Sequence, residues 1–98
     1  MNRLEHLLTC ISEESGEVVQ AVGKIQRFSL TEQYPDTDIT NWQQLKTEMI
    51  QLVAVYQMVC DEIGDEKAKL FDWDLMQEKK NKVIQYMNYA KQTGALDQ

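Results

Sequence analysis

Apolar residues recur at Leu4, Leu7, Leu8, Ile11, Val18, Ala21, Val22, Ile25 and Phe28, mostly three or four positions apart. That period lines one face of a helix, and it predicts a first helix over residues 3–28. A second series at Leu45, Met49, Leu52, Val53, Tyr56, Val59, Cys60 and Ile63 predicts another. Thr40-Asn41-Trp42-Gln43 fits a capping box, so this helix starts near Asn41. Gly64 suits its C-cap. Residues 29–40 hold Pro35, the only proline, and no helical period, and read as a loop. A connector follows over 65–73, with room for a helical turn. Asp72 or Asp74 can cap a third helix running to about Gln92 and ending at Gly94, with 93–98 as a tail. No strand pattern, repeat or low-complexity stretch interrupts this. The expectation is one all-α domain over 1–98, an antiparallel bundle of three long helices plus short connectors, with helices 1 and 2 antiparallel. Gly16 and Gly23 share a face of helix 1. They suit either a close helix approach or room for a ligand beside the acids.

Two acids break the first apolar face. Glu14 falls where an apolar residue is due, three after Ile11 and four before Val18, and Glu17 follows one turn on. In helix 2, Glu48 lies between Leu45 and Leu52, and Gln51 sits three residues further. Carboxylates on a core-facing stripe are costly unless paired, and a hard cation is the usual partner for several of them. Antiparallel helices with these patterns can bring Glu14, Glu17, Glu48 and Gln51 around one metal cluster. Spacing alone also fits solvated surface acids.

Glu13-Glu14-Ser15-Gly16-Glu17-Val18 followed by Glu48-Met49-Ile50-Gln51 resembles the ExxE…ExxD signature of the MazG-like all-α nucleoside triphosphate pyrophosphohydrolases. The resemblance runs from residue 4 to about 63, and more loosely into the last helix. Gln51 stands where that family has Asp. The resemblance implies a Mg²⁺-dependent enzyme, with Mn²⁺ as an alternative, cleaving NTP or dNTP to NMP and pyrophosphate. It implies Glu14, Glu17 and Glu48 as metal ligands with Gln51 beside them, and Glu13 as a further ligand or base. It also implies phosphate contacts from the third helix, where Lys79 and Lys82 are the matching cations, and paired subunits, as a homodimer or dimer of dimers. Two other readings stay open: a catalytically impaired relative acting as a helical binding or assembly module, and a phosphoribosyl-ATP pyrophosphohydrolase-like enzyme. A helical interaction protein unrelated to nucleotides is a further rival.

Other residues offer substrate contacts. Lys24 is two turns after Glu17, and Arg27 follows; either can hold outer phosphates, or simply face solvent at a helix end. Lys79 and Lys82 otherwise snorkel from the apolar face of helix 3. Asn41 and Trp42, with Tyr34 in the preceding loop, can read or stack on a base, although Trp42 also suits ordinary packing. A second ExxD, Glu62 to Asp65, lies about 21 Å further along the axis from Glu48 and reads as unconnected with the site.

Composition narrows the partners. The net charge of −6 argues against a nucleic-acid surface, and no apolar run is long enough to span a bilayer. No signal peptide pattern opens the chain. Cys10 and Cys60 fall on apolar faces and read as buried free thiols of a reducing cytoplasm. His6 and Cys10, the only i,i+4 pair of its kind, lack the partners for a zinc site. A protomer of 98 residues buries limited area, which favours self-association.

Overall fold

A computed structural model of the chain describes residues 1–97. These residues form three helices: α1 (Arg3–Phe28), α2 (Asn41–Ile63) and α3 (Trp73–Gln92). Their ends are set by local chemistry. Asn2 caps α1, its side-chain oxygen accepting the Glu5 backbone N–H at 2.8 Å. Thr40 and Gln43 form a reciprocal capping box at the start of α2, with bonds of 3.1 and 2.8 Å. Gly64 ends α2 in the left-handed region at φ 76°, where a Cβ would be strained. Asp72, rather than Asp74, caps α3, accepting the Leu75 N–H at 3.0 Å.

Within the chain, α1 packs on α2. The start of α1 meets the end of α2 through Arg3 Nε and Glu62 Oε2 at 2.7 Å. The start of α2 meets the end of α1, where Asn41 Nδ2 donates to the Ser29 carbonyl at 2.9 Å. Leu7, Ala21 and Cys60 are the buried apolar residues of this pair. Cys10 is only half-buried, with its Sγ 3.7 Å from His6 Nε2, and both cysteines are free thiols. A Cβ built on Gly16 or Gly23 would meet nothing within 4 Å, so neither glycine serves a close helix approach in this chain.

The third helix departs from the bundle expected of the sequence. Among the described residues, α3 packs on neither α1 nor α2 and buries no residue of its own. Leu75, Val83, Ile84 and Met87, the apolar positions of its helical period, stay exposed. The radius of gyration is 17.1 Å, against roughly 13 Å for a closed domain of about 100 residues. A 3.6-residue period shows that a helix has an apolar face; it does not say which surface covers it. The connector before α3 is anchored to α2, where the Tyr56 hydroxyl donates to the Ala68 carbonyl at 2.8 Å. Among the described residues, no helix is long and apolar enough to cross a membrane.

The 29–40 loop is ordered by its own backbone. Tyr34 N–H donates to the Ile39 carbonyl and Thr37 N–H to the Tyr34 carbonyl, at 2.9 and 3.1 Å. Pro35 and Asp36 are the central residues of that turn, and Asp36 takes φ 62°. Proline first and a positive-φ residue second is the pattern of a type II turn. Gln33 and Thr40 pair in an isolated antiparallel bridge. The loop therefore folds back on itself and delivers Tyr34 beside α1.

Candidate metal centre

Glu14 and Glu17 on α1 and Glu48 on α2 converge. One carboxylate oxygen from each lies within 4.8 Å of the others. Glu48 is 7% exposed, a rare burial for a carboxylate without a counter-charge. Its Oε1 accepts from Gln44 Nε2, one turn earlier on α2. Its Oε2 is buried with no hydrogen-bond partner, and so is Glu14 Oε2. Two orphaned buried carboxylate oxygens carry an electrostatic cost that the chain's own side chains do not offset.

The strain shows in protonation. Glu17 is held above the ordinary carboxylate range, first because only its protonated form can donate a hydrogen bond to the Glu48 carboxylate, then through repulsion from Glu48 and Glu14. A proton is one way to relieve such a group; a cation is the other. Three oxygen donors from carboxylates suit a hard divalent ion, which takes oxygen ligands and retains water on its open positions. The three residues therefore form a candidate site for a hard divalent cation.

One cavity adjoins the cluster, and a second shares residues with the first. An inner one of about 190 Å³ is lined by Glu17, Gln20, Ala21, Lys24, Tyr34, Gln44 and Glu48. An outer one of about 310 Å³ is lined by Lys24, Phe28, Tyr34, Pro35 and Asn41, with Glu32 and Gln33. Lys24 and Tyr34 belong to both. The Lys24 ammonium donates to the Tyr34 hydroxyl at 3.3 Å and lies 4.3 Å from the centre of its ring.

The remaining sequence candidates separate into near and far. Glu13 is exposed and outside the three-carboxylate group, though its charge also raises Glu17. Gln51 is exposed one turn beyond Glu48. Arg27 turns back on its own helix: Nε donates to the Gly23 carbonyl at 3.4 Å and the guanidinium lies 5.7 Å from the Phe28 ring centre. Asn41 lines the outer cavity but is buried, its amide holding the end of α1. Trp42 is 53% exposed and lines neither cavity. Lys79 and Lys82 are exposed on α3, which does not approach the cluster within one chain. Glu62 is engaged by Arg3, and Asp65 caps the turn at Ala68, so the second ExxD stays apart from the site.

One member of the site, Gln44, was not singled out by sequence reasoning, and Tyr34 was read only as a base contact, without its link to Lys24. Gln44 had a usable signal, since it stands four residues before Glu48 and an amide–carboxylate pair at that spacing is a known helix contact. Tyr34 had only its place in the loop; its approach to Lys24 depends on a turn that carries no period.

The chain matches no family model, no curated protein and no solved structure.

Proposed function

We propose that this chain is a Mg²⁺-dependent nucleoside triphosphate pyrophosphohydrolase, cleaving the α–β phosphoanhydride of an NTP or dNTP to give NMP and pyrophosphate. The observation that carries the reading is the pair of buried, unpartnered oxygens, Glu14 Oε2 and Glu48 Oε2, in a three-carboxylate cluster. The cluster shares its cavity with a lysine. The resemblance of Glu13–Val18 and Glu48–Gln51 to the MazG-like signature supplies the reaction class.

Bound metal supplies neutralisation of polyphosphate charge and a more acidic water. The chain's own residues do the rest. Glu14, Glu17 and Glu48 are the ligands, and Gln44 fixes the rotamer of Glu48 by occupying its other oxygen. Lys24, which lines the same cavity as Glu17 and Glu48, pairs with phosphate oxygens. Glu13 stands next to the cluster as the candidate base that takes the proton from the attacking water. Its exposure keeps it in contact with solvent.

The proposal includes an antiparallel α1–α2 pair completed by self-association, as a homodimer or dimer of dimers in the cytoplasm. The exposed apolar residues of α3 support it. Pairing also offers a route by which Lys79 and Lys82 of α3 could meet phosphate.

The test is pyrophosphate release from a panel of ribo- and deoxynucleoside triphosphates and phosphoribosyl-ATP, with Mg²⁺, with Mn²⁺ and with chelator. Metal-dependent release from at least one substrate supports the reading, and phosphoribosyl-ATP as the sole substrate moves it to that enzyme class. A second reading draws on Gln51, a neutral side chain beside the acids. It is a catalytically impaired relative serving as a helical binding or assembly module. Mg²⁺ binding without turnover on any substrate favours it.

A further inference from the structure

The inner cavity, at about 190 Å³, is too small on its own for a nucleotide, since small-molecule sites run to roughly 300–1,000 Å³. The outer cavity, at about 310 Å³, has no acid cluster and is walled by the side chains of Phe28, Tyr34 and Pro35. The two differ in chemistry and share two residues, Lys24 and Tyr34. A ligand with an anionic end and a flat apolar end matches that division.

We infer that the two cavities form one two-part cleft, in which Tyr34 is the specificity-determining contact for the aromatic end of a metal-bound polyphosphate ester. The inference rests on the hydrolase reading of the acidic cluster and adds to it the residue that distinguishes a nucleotide from bare polyphosphate. Tyr34 is suited by position. Its backbone is held on both sides, by Ile39 and Thr37, and Thr37 Oγ1 adds a further bond to its carbonyl at 3.0 Å. The ring is thus presented by a rigid turn, which lowers the ordering cost of a stacking contact.

Lys24 links the halves. In the free chain its ammonium has the Tyr34 hydroxyl and ring as partners. A phosphate oxygen in the inner cavity is a stronger, charge-assisted acceptor than a neutral phenol. Transfer of Lys24 to phosphate uncovers the face of Tyr34 for a base in the outer cavity. Filling the inner half and opening the outer half are then one event.

The experiment compares two probes on the full chain with Mg²⁺. One is inorganic tripolyphosphate, which has no base. The other is the set of α,β-methylene nucleoside triphosphates, which bind without turnover. Titration calorimetry reads both on wild type, Tyr34→Phe, Tyr34→Leu and Tyr34→Ala. Stacking of a base on an aromatic ring predicts a loss of about fivefold or more on the best nucleotide in Tyr34→Leu and Tyr34→Ala. Tripolyphosphate should change less than twofold, and Tyr34→Phe should keep most of the nucleotide affinity. Tyr34→Leu keeps apolar bulk in the loop and carries the test if Tyr34→Ala fails to fold. Equal losses on both probes, or none on either, overturn the role of Tyr34. Wild type that binds tripolyphosphate as tightly as any nucleotide overturns the two-part cleft and leaves the metal–phosphate site standing. Wild type that binds neither probe overturns both.

Discussion

Gln44 and Glu48 stand one turn apart on α2, and the Gln44 amide occupies one oxygen of the Glu48 carboxylate while the other stays buried and unpartnered. The contact does two things. It satisfies half of a buried acid, and it aims the free oxygen at Glu14 and Glu17.

Gln44→Leu removes the donor while keeping comparable bulk. Partners that orient a metal ligand are worth about 10–100-fold in metal affinity. The expected outcome is at least about tenfold weaker Mg²⁺ binding by titration calorimetry, with the helical circular dichroism unchanged. Unaltered Mg²⁺ affinity would show that Glu48 is oriented without Gln44.

Glu17 gives a pH dependence with a definite sign. Its folded-state pKa lies above the ordinary value of 4.5, chiefly through the hydrogen bond and repulsion from Glu48. The folded chain therefore binds this proton more tightly than the unfolded chain does. The stability it contributes is complete below about 4.5 and is lost as pH rises through the folded value. Glu17→Gln stays neutral throughout. In metal-free buffer the melting temperature of Glu17→Gln should rise relative to wild type as pH increases from 4 to 7. Mg²⁺ should narrow that gap by stabilising wild type alone, and the variant should lose metal-dependent turnover. Full turnover of Glu17→Gln at saturating Mg²⁺ would remove Glu17 from the ligand set.

The exposed α3 makes a prediction about mass. An apolar helix face open to water is costly, and monomers rarely leave large patches uncovered. Trp73 and Leu75 are 71% and 62% exposed, and Met49 and Ile50 on α2 are also open. Light scattering at micromolar concentration should give at least twice the protomer mass of 11.4 kDa. Charged substitutions at Ile84 and Met87 should lower it. A wild-type mass at the protomer value would sink the proposed pairing.

What could be read from the chain follows from what local chemistry specifies. The limits of α2 were legible because Thr40, Gln43 and Gly64 satisfy its end groups within a few residues, and those of α1 because its apolar period starts and stops there. The acidic cluster was legible because Glu14 and Glu48 each interrupt an apolar period, and the interruption survives as burial without a partner. The position of α3 was not, since its period is equally compatible with covering this chain or another surface. Asn41 shows a different limit. Its amide looks available for a ligand, yet Ser29, twelve residues earlier, takes the Nδ2–H in closing the loop onto α1. Arg27 was lost in the same way, to the Gly23 carbonyl and the Phe28 ring.

Gln51 carries the final prediction. It lies three residues after Glu48, one turn along α2, and is exposed. Its amide oxygen is neutral, and the affinity of a hard cation follows the charge of its ligands. An acid at this position adds a negative charge one turn from a cluster that already raises the pKa of Glu17. In metal-free buffer Gln51→Asp should therefore be no more stable than wild type, and less stable as pH rises. With Mg²⁺ the order should reverse, because the added anion now favours a bound cation. Binding should tighten, and pyrophosphate release should rise. The shorter Asp side chain sets its carboxylate closer to the helix, so Mn²⁺ is the second ion to test. A thermal shift titration on both proteins, run beside the pyrophosphate assay, separates the outcomes. Tighter binding with faster release identifies Gln51 as the weak member of the site. Lower activity in Gln51→Asp than in wild type shows instead that the centre works with three carboxylates and that a fourth negative charge is a burden. Absence of any metal-dependent shift in both proteins would shift the balance to the helical binding module.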